Sequence, residues 1–170
     1  MVILFTDRKN KVETEIIEIL SKYGGQHISD KFIGNDNGKF TILSIYKKSN
    51  IKLSKGIAVF IDRGKRFVNQ NLPLGVIAIC EDDNRTALEI AKQNHIAVIS
   101  CGLSSKNSVT LSSMGNDQLF TSLQRSIQSP NGEIIEPCEI RIKLSKSYLP
   151  FSVMASAAIL MLMDIKPFEF

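Results

Sequence analysis

Paired cysteines, long apolar runs, sequence repeats and glycine-rich phosphate loops are all missing from this chain of 170 residues. Its three cysteines, Cys80, Cys101 and Cys138, are odd in number and have no metal-ligand spacing. That argues against a disulfide framework and for a reducing, cytoplasmic setting. Val2 to Phe5 is too short an apolar run for a secretory signal, because Asp7, Arg8 and Lys9 follow directly after Thr6. The longest uncharged stretch, Phe151 to Met163, falls short of the about 20 apolar residues that a membrane span needs. It reads instead as a helix buried between layers, and a membrane partner is disfavoured. With two histidines, His27 and His95, histidine-based catalysis has little to draw on.

Charge is not one-sided either. The formal net charge is +4, and lysines and arginines are mixed with acids along most of the chain. Two short basic clusters, Arg8-Lys9-Asn10-Lys11 and Arg63-Gly64-Lys65-Arg66, can meet a phosphate or an acidic partner, but as solvated loops they need no ligand. Nucleic acid is a disfavoured partner. The apolar content of 44% is that of a soluble globular protein, and the length suits one domain spanning residues 1–170.

What is present is organised around Gly75 to Gly102. The apolar run Gly75 to Cys80 has the pattern of a strand buried on both faces. Glu81, Asp82, Asp83 and Asn84 supply cap residues and negative charge for a helix over Arg85 to Asn94. Ile96 to Ser100 is a second apolar run, closed by Cys101 and Gly102. This is a βαβ unit, whose crossover is expected to be right-handed. Upstream, Val2 to Phe5 reads as a strand, and Asn10 caps a helix from Lys11 to Tyr23 that ends at Gly24-Gly25. Strands are expected over Phe40 to Tyr46 and Ile57 to Ile61, with turn residues from Gly34 to Gly38 and a polar loop from Lys47 to Lys55. Downstream, Leu119 to Ile127 and Cys138 to Leu144 read as strands of a hairpin turning at Ser129-Pro130-Asn131-Gly132. Pro150 then opens a helix to Asp164. The fold class expected is α/β: a mostly parallel sheet with helices on its faces, a C-terminal β-hairpin and a buried C-terminal helix.

In open α/β sheets, ligands bind at the carboxyl ends of strands. The candidate ligand-binding residues are therefore Glu81, Asp82, Asp83 and Asn84 after one strand, and Cys101, Gly102, Ser104, Ser105 and Lys106 after the next. The three acids can hold a divalent cation or a ribose hydroxyl, although helix capping accounts for them more simply. Cys101 can serve as a nucleophile only with a base beside it, and a small buried cysteine is the plainer reading. Lys11, with Arg8 and Lys9, can attract an anion near a helix start, or simply be a solvated turn. No catalytic residue, resident metal or cofactor can be assigned from these residues.

From Cys80 onward the order of elements resembles the later part of the central domain of Mur ligases and folylpolyglutamate synthases. In that family a strand ends in Asn-x-Asp-Asp and leads to a helix, then to a strand ending near a glycine, a β-hairpin and an Ala-rich helix. The counterparts here are Cys80-Glu81-Asp82-Asp83, the helix to Asn94, Ile96 to Gly102, the strands around Asn131-Gly132, and Ser152 to Ile165. The family opens with a strand, a phosphate loop ending Gly-Lys-[Ser/Thr] and a helix. Val2 to Phe5, Asp7 to Val12 and the helix that follows resemble that unit in degenerate form. Lys11 stands where the resemblance implies the phosphate-loop lysine, but no glycine precedes it and Val12 replaces the metal-binding hydroxyl. Without glycines the backbone cannot wrap closely around phosphates. Cys80 replaces the family's asparagine, and its His-Asn pair falls near Pro150-Phe151.

The resemblance implies a non-catalytic binding or assembly module of Mur ligase-like ancestry. The alternative is a small cytosolic enzyme using Cys101 or the Glu81-Asp82-Asp83 turn. A small-molecule ligand and a second copy of the chain are the partners the sequence allows. The two phenylalanines of the tail Pro167-Phe168-Glu169-Phe170 either fold back on the domain, the plainer reading, or pack on a second copy, and the apolar surface of Pro150 to Met163 suggests the homodimer.

Overall fold

The computed structural model describes all residues except 31–33, 35–37, 115–117 and 168, together with the side chains of 113 and 114. A nine-stranded sheet forms the middle layer, in the order β11-β8-β7-β6-β5-β4-β1-β3-β2. Its parallel part consists of β1 (Val2–Phe5), β2 (Gly25–Ile28), β3 (Phe40–Ile45), β4 (Gly56–Phe60), β5 (Val76–Glu81), β6 (Val98–Cys101) and β7 (Val109–Met114). Two antiparallel strands, β8 (Gln118–Leu123) and β11 (Cys138–Lys143), extend it at one edge. A separate two-stranded ribbon of β9 (Ile127–Gln128) and β10 (Ile134–Ile135) lies between them in sequence.

The apolar runs form central strands because both faces are covered. On β1, Val2 and Leu4 join the core that holds α1 (Lys11–Lys22) and α3 (Pro150–Leu162). Ile3 and Phe5 join the opposite core, with α2 (Arg85–Asn94) and the turn at Phe67. In that second core the Phe5 and Phe60 rings stack at 4.7 Å, with Phe67 edge-on to Phe5 at 5.1 Å. The expected βαβ unit is present as β5-α2-β6, with Ala78 paired in parallel with Val98.

Several boundaries differ from the sequence reading. Strand β7 was not expected, because Val109–Met114 (VTLSSM) carries three hydroxyl residues among its apolar ones. The expected strand from Leu119 to Ile127 stops at Leu123, and Ser129 to Gly132 turns the small β9-β10 ribbon rather than the β8-β11 pair itself. Helix α1 ends at Lys22, where the Tyr23 and Gly24 amides close the last turn onto Leu20 and Ser21. Helix α3 ends at Leu162 rather than Asp164. The centre of the expected Gly34–Gly38 turn lies outside the described residues.

Helix α3 is buried all round from Phe151 to Leu162, as a charge-free helix must be. The sheet, α1 and the chain after the helix cover it, so it presents no spare apolar face to a partner. The tail also differs from an exposed, dimer-forming one: Phe170 is fully buried against its own chain. Its amide donates to the Lys143 carbonyl (2.8 Å), its carbonyl accepts from the Ser145 amide (2.7 Å), and its ring meets Tyr23 edge-on at 6.3 Å. Phe168 lies outside the described residues.

Truncating Phe60 removes both the stack with Phe5 and a fully buried ring. Phe60→Ala is expected to lower unfolding free energy by about 3–5 kcal/mol, read from urea denaturation.

Candidate functional site

At the carboxyl edge of the parallel strands lies an open cleft of ≈ 370 Å³. It is bordered by Val12 after β1, Arg63 after β4, Glu81–Asp83 after β5 and Cys101–Leu103 after β6, and floored by Leu149 to Phe151 and Met154 at the start of α3. Of the residues expected from sequence, Glu81, Asp82, Asp83, Cys101 and Gly102 do come together here. Lys11 does not: it lies on the exposed side of α1 and pairs with Glu15 (3.7 Å). Ser104, Ser105 and Lys106 form an exposed loop whose internal bonds run from the Asn107 amide to the Ser104 carbonyl (3.0 Å) and from the Lys106 amide to Ser104 Oγ (3.3 Å). Asn84 is buried beneath the acidic turn. Its Oδ1 caps α2 by accepting from the Ala87 amide (3.1 Å), and its Nδ2 donates to the Phe60 and Asp62 carbonyls (both 3.3 Å).

The acids are tied down. Arg63 donates to Glu81 through Nε and Nη2 and to Asp83 through Nη1 (2.7 Å), which raises the guanidinium pKa, Glu81 acting most strongly. Asp82 accepts from Asn107 Nδ2 (2.9 Å). Gly102 leaves room for that contact, since a Cβ there would lie 2.4 Å from Asn107 Nδ2 and 2.7 Å from Asp82 Oδ2. Arg63 was not among the candidate residues drawn from the sequence. Arg63 had been noted only within a basic cluster, and its distance in sequence from Glu81 hid the pairing.

The helix starts at this edge are also occupied by the chain itself. Asn10 Oδ1 accepts from the Val12 amide (2.9 Å) at α1, and Asp7 in turn accepts from Asn10 Nδ2 (2.7 Å). At α3 the cap residue is Leu149, which has no side-chain acceptor; buried Glu15 takes its amide instead (2.9 Å). A carboxylate at a helix start satisfies orphan amides and complements the helix dipole.

Cys101 has no exposed surface, and burial pushes its thiol well above the ordinary range. Cys80 beside it is pushed up to about 12, first by burial and then by Asp82. A thiol in that state is a poor nucleophile. Among the described residues no group of three His, Cys, Asp or Glu is placed to hold a metal ion. Among them, too, no helix is long and apolar enough to cross a membrane.

No protein-family model and no curated protein matches the sequence. Solved structures do match. UDP-N-acetylmuramate:L-alanyl-gamma-D-glutamyl-meso-diaminopimelate ligase from Neisseria meningitides superposes with a TM-score of 0.57 at 10% identity, over 98% of this chain and 62% of that one. Murein peptide ligase from Psychrobacter arcticus 273-4 gives a TM-score of 0.58 at 10% identity, over 97% and 44%. The fold is Mur ligase-like. The likeness extends over nearly the whole chain, while the chain spans less than two thirds of either ligase.

A second polar cluster, not anticipated from sequence, lies on the neighbouring strands of this Mur ligase-like sheet. His27 Nε2 and Ser44 Oγ are 2.9 Å apart, and the Tyr46 hydroxyl donates to buried Glu13 (2.9 Å). Burial lowers the His27 pKa from 6.5, against a smaller opposing pull from Glu13. Below pH 6.5 the unfolded chain takes up this proton before the folded one does, so the contribution of His27 to stability falls as pH drops through that window and is regained above it. His27→Gln is expected to flatten the melting temperature between pH 5 and 7 relative to the parent chain. Thiol labelling gives a separate check: at pH 8, Cys138 is expected to react in the folded protein, and Cys80 and Cys101 only after denaturation.

Proposed function

We propose that this chain is a non-catalytic binding or assembly module built on a Mur ligase-like fold, with the phosphate-holding end of the sheet converted into a self-satisfied surface. One observation carries the reading. Each helix start at the carboxyl edge already has a side-chain partner from this chain: Asn10 with Asp7 at α1, Asn84 under the acidic turn at α2, and Glu15 at α3. Phosphates bind helix starts through free amides and the positive end of the dipole. Here one amide at each start is engaged: Val12 at α1, Ala87 at α2 and the cap residue Leu149 at α3. The cleft mouth carries three carboxylates against one arginine, which leaves it negative and repels a phosphate chain.

The cleft remains the place for a small ligand. Its apolar floor and acidic rim suit a compact molecule carrying amine or hydroxyl groups rather than a triphosphate. The ligases it is similar to are named for UDP-N-acetylmuramate and murein peptides, so peptide pieces of cell-wall precursors are the first compounds to try.

Thermal shift decides between the readings, because a specific ligand raises the melting temperature by mass action. Millimolar Mg-ATP is expected to leave the melting temperature unchanged. An ATPase activity that disappears on Asp82→Asn or Asp83→Asn substitution would sink the non-catalytic reading.

A further inference from the structure

A second cavity, of ≈ 370 Å³, lies at the opposite edge of the sheet, where the parallel strands begin. Strands β3 and β4 start beside it at Phe40 and Gly56, and α3 ends on it at Leu162. Its floor is apolar: Ile57 and Leu162 are buried, and Phe40, Met163 and Ile165 are half-buried. The turn of the β9-β10 ribbon forms a wall, with Pro130 and Asn131 facing the space. Ser129 fixes that turn. Its Oγ accepts from the amides of Asn131 and Glu133 (both 3.2 Å), and its carbonyl accepts from the Gly132 amide (2.9 Å).

Two cations, Lys39 and Lys55, border this floor, and among the described residues no carboxylate does. The chain positions both. The Lys39 amide donates to the Gly24 carbonyl (2.7 Å), and its stem lies so close to Gly24 that a Cβ there would be 3.0 Å from Lys39 Cγ. Lys55 Nζ donates to Asn131 Oδ1 (2.5 Å), a neutral acceptor that leaves the positive charge uncancelled. Lys11 and Lys146 pair with Glu15 and Glu18, but among the described residues Lys39 and Lys55 pair with no acid. Nor does the end of α3 call for them. The carbonyls of Ile159, Leu160 and Met161 already accept from the amides of Met163 (3.1 Å), Ile165 (2.8 Å) and Asp164 (3.0 Å).

We propose that this amino-edge cavity binds a small amphiphilic anion of the alkyl carboxylate class. The carboxylate sits at the Lys39 and Lys55 rim, where charge-assisted hydrogen bonds reward it. The alkyl chain lies on the floor of Ile57 and Leu162, where leaving water is favourable. Ligand cavities span about 300–1,000 Å³, so this one suits a short chain rather than a long one. The sign of the rim selects the head group: an alcohol of the same length gains the burial without the charge, and an amine is repelled. The carboxyl-edge cleft has the opposite sign, with three carboxylates against one arginine, and disfavours the same ligand. The two sites are separate, and this proposal does not rest on the reading given for that cleft.

Isothermal titration of the intact chain with octanoate, 1-octanol and octylamine tests this directly. Octanoate is expected to bind about tenfold more tightly than octanol, and octylamine not to bind. The double variant Lys39→Gln, Lys55→Gln is expected to weaken octanoate about tenfold, to the level of octanol, while octanol binding stays unchanged. Both lysines are exposed, so the variant is expected to keep the parent melting temperature. Met163→Trp, which fills the cavity, is expected to abolish binding of octanoate and octanol alike, whereas Asp83→Asn at the other edge is expected to change neither. An acyl lipid surface offers related chemistry, and sedimentation with phosphatidylglycerol vesicles separates the two sources. Equal affinity for octanoate and octanol, octanoate binding that survives the double lysine variant or Met163→Trp, or binding to vesicles without binding to octanoate each overturns the proposal.

Discussion

Helix α3 has no polar face, and much of the molecule is arranged to accommodate that. A helix apolar on every side must be covered on every side. The parallel sheet supplies one wall and α1 a second. The β8-β11 arm and the returning tail complete the enclosure, with Ile142, Tyr148 and Phe170 in the same core as the helix. The small side chains Ala155, Ala157 and Ala158 are fully buried within it. Burial of this kind contributes roughly 25 cal/mol for each Å² of apolar surface taken from water, and it offsets the entropy of ordering a long antiparallel arm and a C-terminal segment.

The carboxyl edge follows a different logic. Its polar groups are matched to each other rather than left open. Glu15, on α1, supplies the acceptor that Leu149 lacks, and so joins α1 to α3 electrostatically as well as through the core. Arg63 spans two acids on the next loop, and Asn84 anchors that loop from below through the carbonyls at the end of β4. Surface ion pairs of this kind contribute little stability individually. Their effect is to hold three loops in one arrangement around the cleft.

The βαβ unit was legible in the sequence because local signals agreed. The run up to Cys80 is continuous in apolar character, Asn84 has the cap chemistry its position needs, and Arg85–Asn94 was read to the residue. The buried final helix was legible from its lack of charge. Strand β7 was not, since three of its six residues carry hydroxyls and break the apolar pattern, even though its antiparallel partner β8 follows directly in the chain. In the site, the residues after each strand were foreseeable from topology, but their partners were not. Arg63 lies 18 residues from Glu81, and Glu15 lies 134 from Leu149. No periodicity reports contacts at that range. The place where the tail folds back was hidden for the same reason: nothing local to Phe170 announces a pocket beside Tyr23.

The junction between β6 and β7 has a mechanical consequence. Parallel neighbours ordinarily need a long crossover, but β7 begins where β6 ends, so residues 102–108 suffice and the two strands share one bridge, Cys101 to Val109. The sheet is thus stitched continuously from β2 to β6 and again from β7 to β11, with a single stitch at the seam. Load applied across that seam is not borne by a hydrogen-bond ladder. It passes into α3, which touches β5, β6 and β7 alike, so the helix works as a splint across the two halves, and the stiffness of the whole plate is set by how firmly that splint is packed.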